Sequence, residues 1–170
     1  MKKATRALTR LPDLDRGLSR RFYRRDAASF TPKQPVHAII TSPPYMRNLD
    51  YGRDNRLRLW FLGVPDWASL DHSISPTETA FLRLMRACLR RWRDVLTPAG
   101  ICVVVLGDNI CRQYGLPLPD AVAKVATKEV GGYSVVSQET DPIPNERRSR
   151  RNCRGNLSET VLVLRKEKGH

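Results

Sequence analysis

No apolar run in this sequence approaches the roughly 20 residues needed to span a bilayer. Its start, Met1-Lys2-Lys3-Ala4-Thr5-Arg6, lacks the apolar centre of a secretory signal. Both absences argue against membrane insertion and export, and the cytoplasm is the expected compartment. The four cysteines, Cys88, Cys102, Cys111 and Cys153, form no Cys-x-x-Cys pair, and the three histidines, His37, His72 and His170, are scattered. Neither residue type is spaced for zinc, so no metal is expected. Cys88 falls on an apolar helical face and Cys102 in an apolar strand, which reads as reduced, packed thiol. Gly-x-Gly occurs nowhere. No internal repeat or low-complexity tract stands out beyond clusters of arginine, and nothing marks a second compact domain.

Acidic residues are also scarce. Asp and Glu total 17 against 30 Lys and Arg, a net charge of +13, which favours polyanions: nucleic acid first, an anionic membrane surface second. With 170 residues, 41% of them hydrophobic, the chain can bury the core of one domain without disulfide or metal staples. Residues 1–30 hold nine basic residues against Asp13, Asp15 and Asp26. Leu8, Leu11, Leu14 and Leu18 recur at helical steps, but Pro12 interrupts them, so a loosely ordered basic arm is expected ahead of a body at 31–170.

In the body, Asp26 to Pro35 reads as turns and Val36-His37-Ala38-Ile39-Ile40 as a buried strand. Thr41-Ser42-Pro43-Pro44-Tyr45 ends it, because proline cannot continue a ladder. Met46 to Asn55 is polar and without period, and a short helix is expected in Arg56 to Gly63. Ser75-Pro76-Thr77-Glu78 has the form of a capping box, with Ser75 as N-cap, opening a helix to about Leu96. Its stripe of Phe81, Leu82, Met85, Cys88, Leu89, Trp92, Val95 and Leu96 should pack on a sheet, with its arginines on other faces. Thr97-Pro98-Ala99-Gly100 stops it. Ile101 to Leu106 is continuously apolar, as in a strand buried on both faces, and Gly107-Asp108 follows it. Pro119 to Lys128 reads as a helix; Tyr133 to Thr140 and Glu159 to Leu164 read as strands. Between these strands, Arg147, Arg148, Arg150, Arg151 and Arg154 crowd into eight residues.

A strand, a crossover helix and a second strand make a βαβ unit, which places Ser42 to Tyr45 and Gly107-Asp108 on one sheet edge, where open α/β sheets bind ligands. That placement outweighs the plain alternative, an ordinary strand-ending turn.

Over roughly Asp26 to Lys166 the chain resembles the amino-group DNA methyltransferases, those acting on cytosine N4 or adenine N6. The resemblance rests on Thr41-Ser42-Pro43-Pro44-Tyr45, Asn48-Leu49-Asp50-Tyr51, Arg93 to Gly100, the strand to Gly107-Asp108, and Glu159 to Lys166. It implies an α/β, Rossmann-like methyltransferase sheet of which this chain carries the second half, strands four to seven with the last antiparallel. It implies site-specific DNA methylation of the restriction-modification kind, with S-adenosylmethionine as methyl donor and the serine pointing to cytosine. Ser42, Pro43, Pro44 and Tyr45 take the catalytic positions, and Thr41, Gly107 and Asp108 lie toward the cofactor. Arg47 and the Arg147 to Arg154 cluster are the expected DNA contacts.

The chemistry suits these residue types. An exocyclic amine is a poor nucleophile because its lone pair is delocalised into the ring, so an enzyme must pull the nitrogen toward tetrahedral geometry and aim it at the methyl. The Ser42 hydroxyl and the Pro43 carbonyl can accept its two hydrogens, a rigid Pro-Pro fixes them, and Tyr45 can stack on a base flipped from the duplex. Transfer to nitrogen needs no cysteine nucleophile.

The chain departs from the family in lacking the glycine-rich turn after the first strand. It is therefore expected to be a C-terminal fragment, a half completed by a separately encoded partner, or a degenerate remnant, the first two being preferred because the chemistry-bearing residues are intact. Two further readings stay open: a non-catalytic nucleic-acid-binding protein in which the tetrapeptide is a relic, and a methyltransferase acting on RNA.

Overall fold

A computed structural model describes residues 17, 19–44, 51–64, 66, 68–69, 77–144 and 157–169. Strand β1 (Val36–Thr41) uses the β-branched run and ends where Ser42-Pro43-Pro44 begins. Two short helices follow, α1 (Tyr51–Asp54), within the stretch expected to be loop, and α2 (Arg56–Phe61), none of whose residues is buried.

Helix α3 (Glu78–Val95) carries the expected stripe: Phe81, Leu82, Met85, Cys88, Leu89, Trp92 and Val95 are all buried. Its cap differs from the expected one. Thr77, not Ser75, is the N-cap, its Oγ1 accepting from Ala80 N at 3.3 Å; Ser75 and Pro76 lie outside the described residues. The arginines of α3 are more than a solvated face. Arg91 Nε donates to Phe30 O at 3.1 Å, and Trp92 Nε1 donates to Ala27 O at 3.2 Å. Arg93 Nη1 donates to Val130 O and Gly131 O at 2.9 and 3.2 Å. These bonds fasten the turn at Asp26 to Phe30 and the end of a second helix to α3.

Strand β2 (Leu96–Gly107) starts at once, and the Thr-Pro-Ala-Gly expected to precede it lies inside it as a bulge. Val36 faces Leu96 and Ala38 faces Ile101, so one residue of β1 opposes four of β2. Ala99 there takes φ 60°, and a Cβ on Gly100 would meet Thr97 O at 2.9 Å and His37 O at 3.2 Å. Only glycine lets the two strands close up at that point.

A small hairpin, β3 (Ile110–Cys111) with β4 (Leu116–Pro117), leads into α4 (Leu118–Lys124), which continues as a π-helical segment, Val125–Val130. Strands β5 (Tyr133–Pro142) and β6 (Ser158–Lys166) complete a sheet of order β1-β2-β6-β5. The β1–β2 pair is parallel across the α3 crossover, and β6, the last strand, is antiparallel to both its neighbours. The architecture is thus the expected α/β one, with an antiparallel last strand.

Burial departs from expectation. Cys102, Val104 and Leu106 of β2 and Leu162 and Leu164 of β6 are fully covered, in one core with α3 and α4. Ile101, Val103 and Val105, on the opposite face of the same run, are only half-buried, and Ile40 of β1 is 77% exposed. Helices cover one face of the sheet. Among the described residues no helix is long and apolar enough to cross a membrane.

Candidate functional site at the ends of β1 and β2

Thr41 pairs with Val104, three residues before β2 ends at Gly107, so both parallel strands deliver their C-terminal ends to one side of the sheet. Thr41 is half-buried, Ser42 is exposed, and Pro43 and Pro44 are half-buried. The two prolines fix the backbone φ that orients the Ser42 hydroxyl and the Pro43 carbonyl, both hydrogen-bond acceptors. Tyr45, Arg47 and the cluster Arg147, Arg148, Arg150, Arg151 and Arg154 lie outside the described residues.

Gly107 pairs with Glu159 of β6, and Asp108 turns the chain away from the sheet. The Asp108 carboxylate is already engaged: Oδ2 accepts from Leu157 N at 2.8 Å, Ser158 N at 3.1 Å and Ser158 Oγ at 3.4 Å. It pins the start of β6 to the end of β2 across the returning chain. The loop beyond it is held by Glu78, a buried carboxylate at the start of α3. Its Oε1 accepts from Gln113 N at 2.7 Å and from the Cys111 thiol at 3.4 Å. Its place in the first turn of α3 also sets its charge against the helix N-terminus.

The sequence signal for Glu78 was the apparent capping box; the residue type was informative and the assigned role was not. A further cluster escaped sequence reading. Arg86 of α3 donates through Nε to Glu129 and through Nη2 to Tyr114 Oη at 2.6 Å, and the Tyr114 hydroxyl in turn donates to Glu129. Lys124 Nζ lies 4.8 Å from the Tyr114 ring centroid. The bond from Arg86 holds the Glu129 carboxyl below the usual carboxylate range, while burial, with the bond to Glu129, pushes the Tyr114 hydroxyl up. These residues lie 15 to 43 positions apart in the chain, and no spacing rule joins them.

The cysteines behave as packed thiols. Cys88, Cys102 and Cys111 are free and buried; burial pushes Cys88 up to about 11 and Cys102 up to about 12. A thiol held so far above neutrality is not a thiolate nucleophile at physiological pH. Among the described residues no group of three or more His, Cys, Asp or Glu side chains could hold a metal ion.

The strand ends suit the two ligands of the implied reaction unequally. Ser42 and Pro43 offer the paired acceptors that an amine requires. Thr41 and Gly107 stand near the ends of adjacent strands, and the Asp108 Oδ2 is committed to β6. β1 is the last strand on its side of the described sheet.

No family model matches the chain, and no curated protein matches it in sequence. Solved structures are similar in fold. One, a Thermus thermophilus protein assigned as a DNA modification methylase, is 23% identical with a TM-score of 0.48 over 86% of this chain and 53% of its own. The N-methyltransferase NodS from Bradyrhizobium japonicum is 14% identical with a TM-score of 0.46, over 86% and 59%. TrmN from Thermus thermophilus is 18% identical with a TM-score of 0.45, over 86% and 28%. The chain spans about half the length, 50 to 59%, of the first two of these proteins.

Proposed function

We propose that this chain is the amine-binding half of an S-adenosylmethionine-dependent methyltransferase acting on DNA, with the exocyclic amine of a flipped cytosine as the acceptor. What carries the reading is one juxtaposition: Ser42-Pro43-Pro44 and Gly107-Asp108 stand at the C-terminal ends of two adjacent parallel strands, with Ser42 exposed there. Open α/β sheets present reacting groups at that edge. The Ser42 hydroxyl and Pro43 carbonyl accept the two amine hydrogens, which draws the lone pair out of conjugation and aims it at the incoming methyl. Tyr45 stacks on the extruded base, and Arg47 with the Arg147 to Arg154 cluster contacts phosphate. The methyl donor, when bound, supplies an electrophilic carbon on sulfonium.

The test is transfer of labelled methyl from S-adenosylmethionine to duplex DNA, using the protein as isolated from its source organism together with whatever copurifies. Ser42→Ala is expected to lower the transfer rate by about 100-fold, the usual scale for removing one preorganised hydrogen-bond partner, with the melting temperature unchanged because Ser42 is exposed. Full activity in that variant removes the amine-holding role. DNA binding without transfer under every condition makes the tetrapeptide a relic, and preferential transfer to structured RNA moves the substrate class.

A further inference from the structure

Beyond the end of β2 the chain folds back on itself at once. Ile110 pairs with Pro117 and Cys111 with Leu116, and Leu118 N donates to Asn109 O at 2.7 Å, closing the base of the β3–β4 hairpin. Its turn is Arg112-Gln113-Tyr114-Gly115, in which Tyr114 N donates to Cys111 O and Gly115 N to Arg112 O, both at 3.3 Å. Gly115 takes φ 64°, a left-handed conformation that glycine adopts without strain.

The body of the molecule grips this turn from two sides. The Glu78 carboxylate, nine-tenths buried, accepts from Gln113 N at 2.7 Å and from the buried Cys111 thiol. Arg86 and Glu129 clasp the Tyr114 hydroxyl. Burying a carboxylate costs free energy, and here the buried group fixes the shape of a surface turn.

What the fixed turn presents is two neighbouring side chains. Arg112 and Gln113 are both exposed, and neither side chain has a partner among the described residues; the bonds that hold their positions are made by backbone. Charges around the turn nearly cancel, Arg86, Arg112 and Lys124 standing against Glu78 and Glu129, so it is not built as a patch for gripping phosphate. It offers hydrogen-bond geometry instead. A guanidinium fork and a carboxamide are the groups that bind the major-groove edges of guanine and adenine with two bonds each.

The turn also lies at the edge of the sheet that carries the candidate site. α3 ends where β2 begins and runs back along the sheet, so its first turn, with Glu78, stands where β1 and β2 end. Gln113 is bonded there, and β3 starts at the third residue after Gly107. Exposed Ser42 is at the same edge.

We propose that Arg112 and Gln113 read base pairs flanking the acceptor base in duplex DNA, Arg112 a guanine and Gln113 an adenine. This rests on the DNA substrate proposed above and not on methyl transfer. A protein partner is the poorer occupant, because the turn's one aromatic residue, Tyr114, is committed to Arg86 and Glu129.

The experiment uses the natively isolated protein to select duplexes from a random pool, sequences the bound fraction, and maps labelled methyl transfer on the same pool. Wild type is compared with Arg112→Ala, Gln113→Ala and, as a charge-matched control, Arg90→Ala, an exposed arginine toward the other end of α3. Arg112→Ala should lose the preference for one G·C pair and Gln113→Ala that for one A·T pair, each by about 5- to 100-fold. Melting temperature should stay the same, since both changes leave the backbone bonds of the turn in place, and so should the salt dependence of binding. Arg90→Ala should keep the wild-type site. The inference fails if both hairpin variants keep that site, if they weaken binding to all duplexes evenly with a shallower salt dependence, which marks a phosphate contact, if Arg90→Ala blurs the site as much, or if the protein selects no duplex. Selective binding without methyl transfer retires the methyltransferase reading and leaves the base readers in place. Transfer at a site that neither hairpin variant changes does the reverse.

Discussion

The two faces of β2 carry the same kind of residue and meet different fates. Cys102, Val104 and Leu106 are sealed beneath α3 and α4, while Ile101, Val103 and Val105 alternate with them and stay half-buried. A strand with one face in water ordinarily alternates apolar with polar. β2 does not alternate, and neither does Val161-Leu162-Val163-Leu164 in β6. Such runs belong to a sheet covered on both sides, and the described residues supply one cover. Toward β1, where Ile40 is 77% exposed, the second face has the composition of an interior and the exposure of a surface.

The largest effect should come from that contrast itself. Leu162 is fully buried and Val163, its neighbour in β6, faces the uncovered side. Leu162→Ala is expected to cost about 2–5 kcal/mol in urea denaturation, the loss of transfer energy plus a cavity. Val163→Ala should cost less, about 0.5–1.5 kcal/mol in the isolated chain, since the side chain is only half-buried and its loss leaves no sealed cavity. Equal losses at the two positions would show that the second face is as well covered as the first.

A middle-sized effect is expected where β1 joins β2. A methyl group on Gly100 would meet Thr97 O at 2.9 Å, Leu96 Cδ2 at 3.1 Å and His37 O at 3.2 Å. Two of these atoms are backbone, and His37 belongs to β1. Gly100→Ala should therefore cost about 1–3 kcal/mol and speed hydrogen exchange selectively in β1, leaving β6 and β5 as they were. Uniform acceleration across the sheet would mean that β1 and the rest unfold as one unit.

How much of this was legible in the sequence depends on whether a feature is local or arises where distant segments meet. The α3 stripe, the proline stop after β1 and the strand ends that bring Ser42 near Gly107 follow from periodicity and chain-breaking chemistry, and each is present. The Thr-Pro-Ala-Gly bulge was hidden because the same residues that end a helix also suit a bulge; only the pairing of Leu96 with Val36 and of Ile101 with Ala38 distinguishes them. Glu78, Asp108 and the Arg86–Tyr114–Glu129 cluster act across 15 to 50 residues of sequence, where no spacing rule reaches. The one-sided burial of β2 was misread for a different reason. Composition reports which surfaces a strand is built to hide, not whether the cover is at hand.

The smallest effect concerns the covered side, where Arg86 clasps Glu129 and ties α3 to the π-helical end of α4. Arg86 holds the Glu129 carboxyl below its ordinary value of 4.5, so on acidification the unfolded chain binds that proton before the folded one does. The contribution is present in full above about pH 4.5, fades as the pH falls through that value, and is gone below the folded group's own titration. Both side chains keep a quarter or more of their surface in water, at 25% and 29% exposure, so the pair is worth at most about 1 kcal/mol. Glu129→Gln should lower stability by that amount at pH 7, cost nothing near pH 3, and thereby flatten the acid limb of the stability curve. The loss at pH 7 should also shrink in molar salt, because a half-open ion pair is screened. A loss at pH 7 that persists unchanged at pH 3 would assign the role of Glu129 to packing around Tyr114 instead of to its charge, making the clasp one more part of the sealed face.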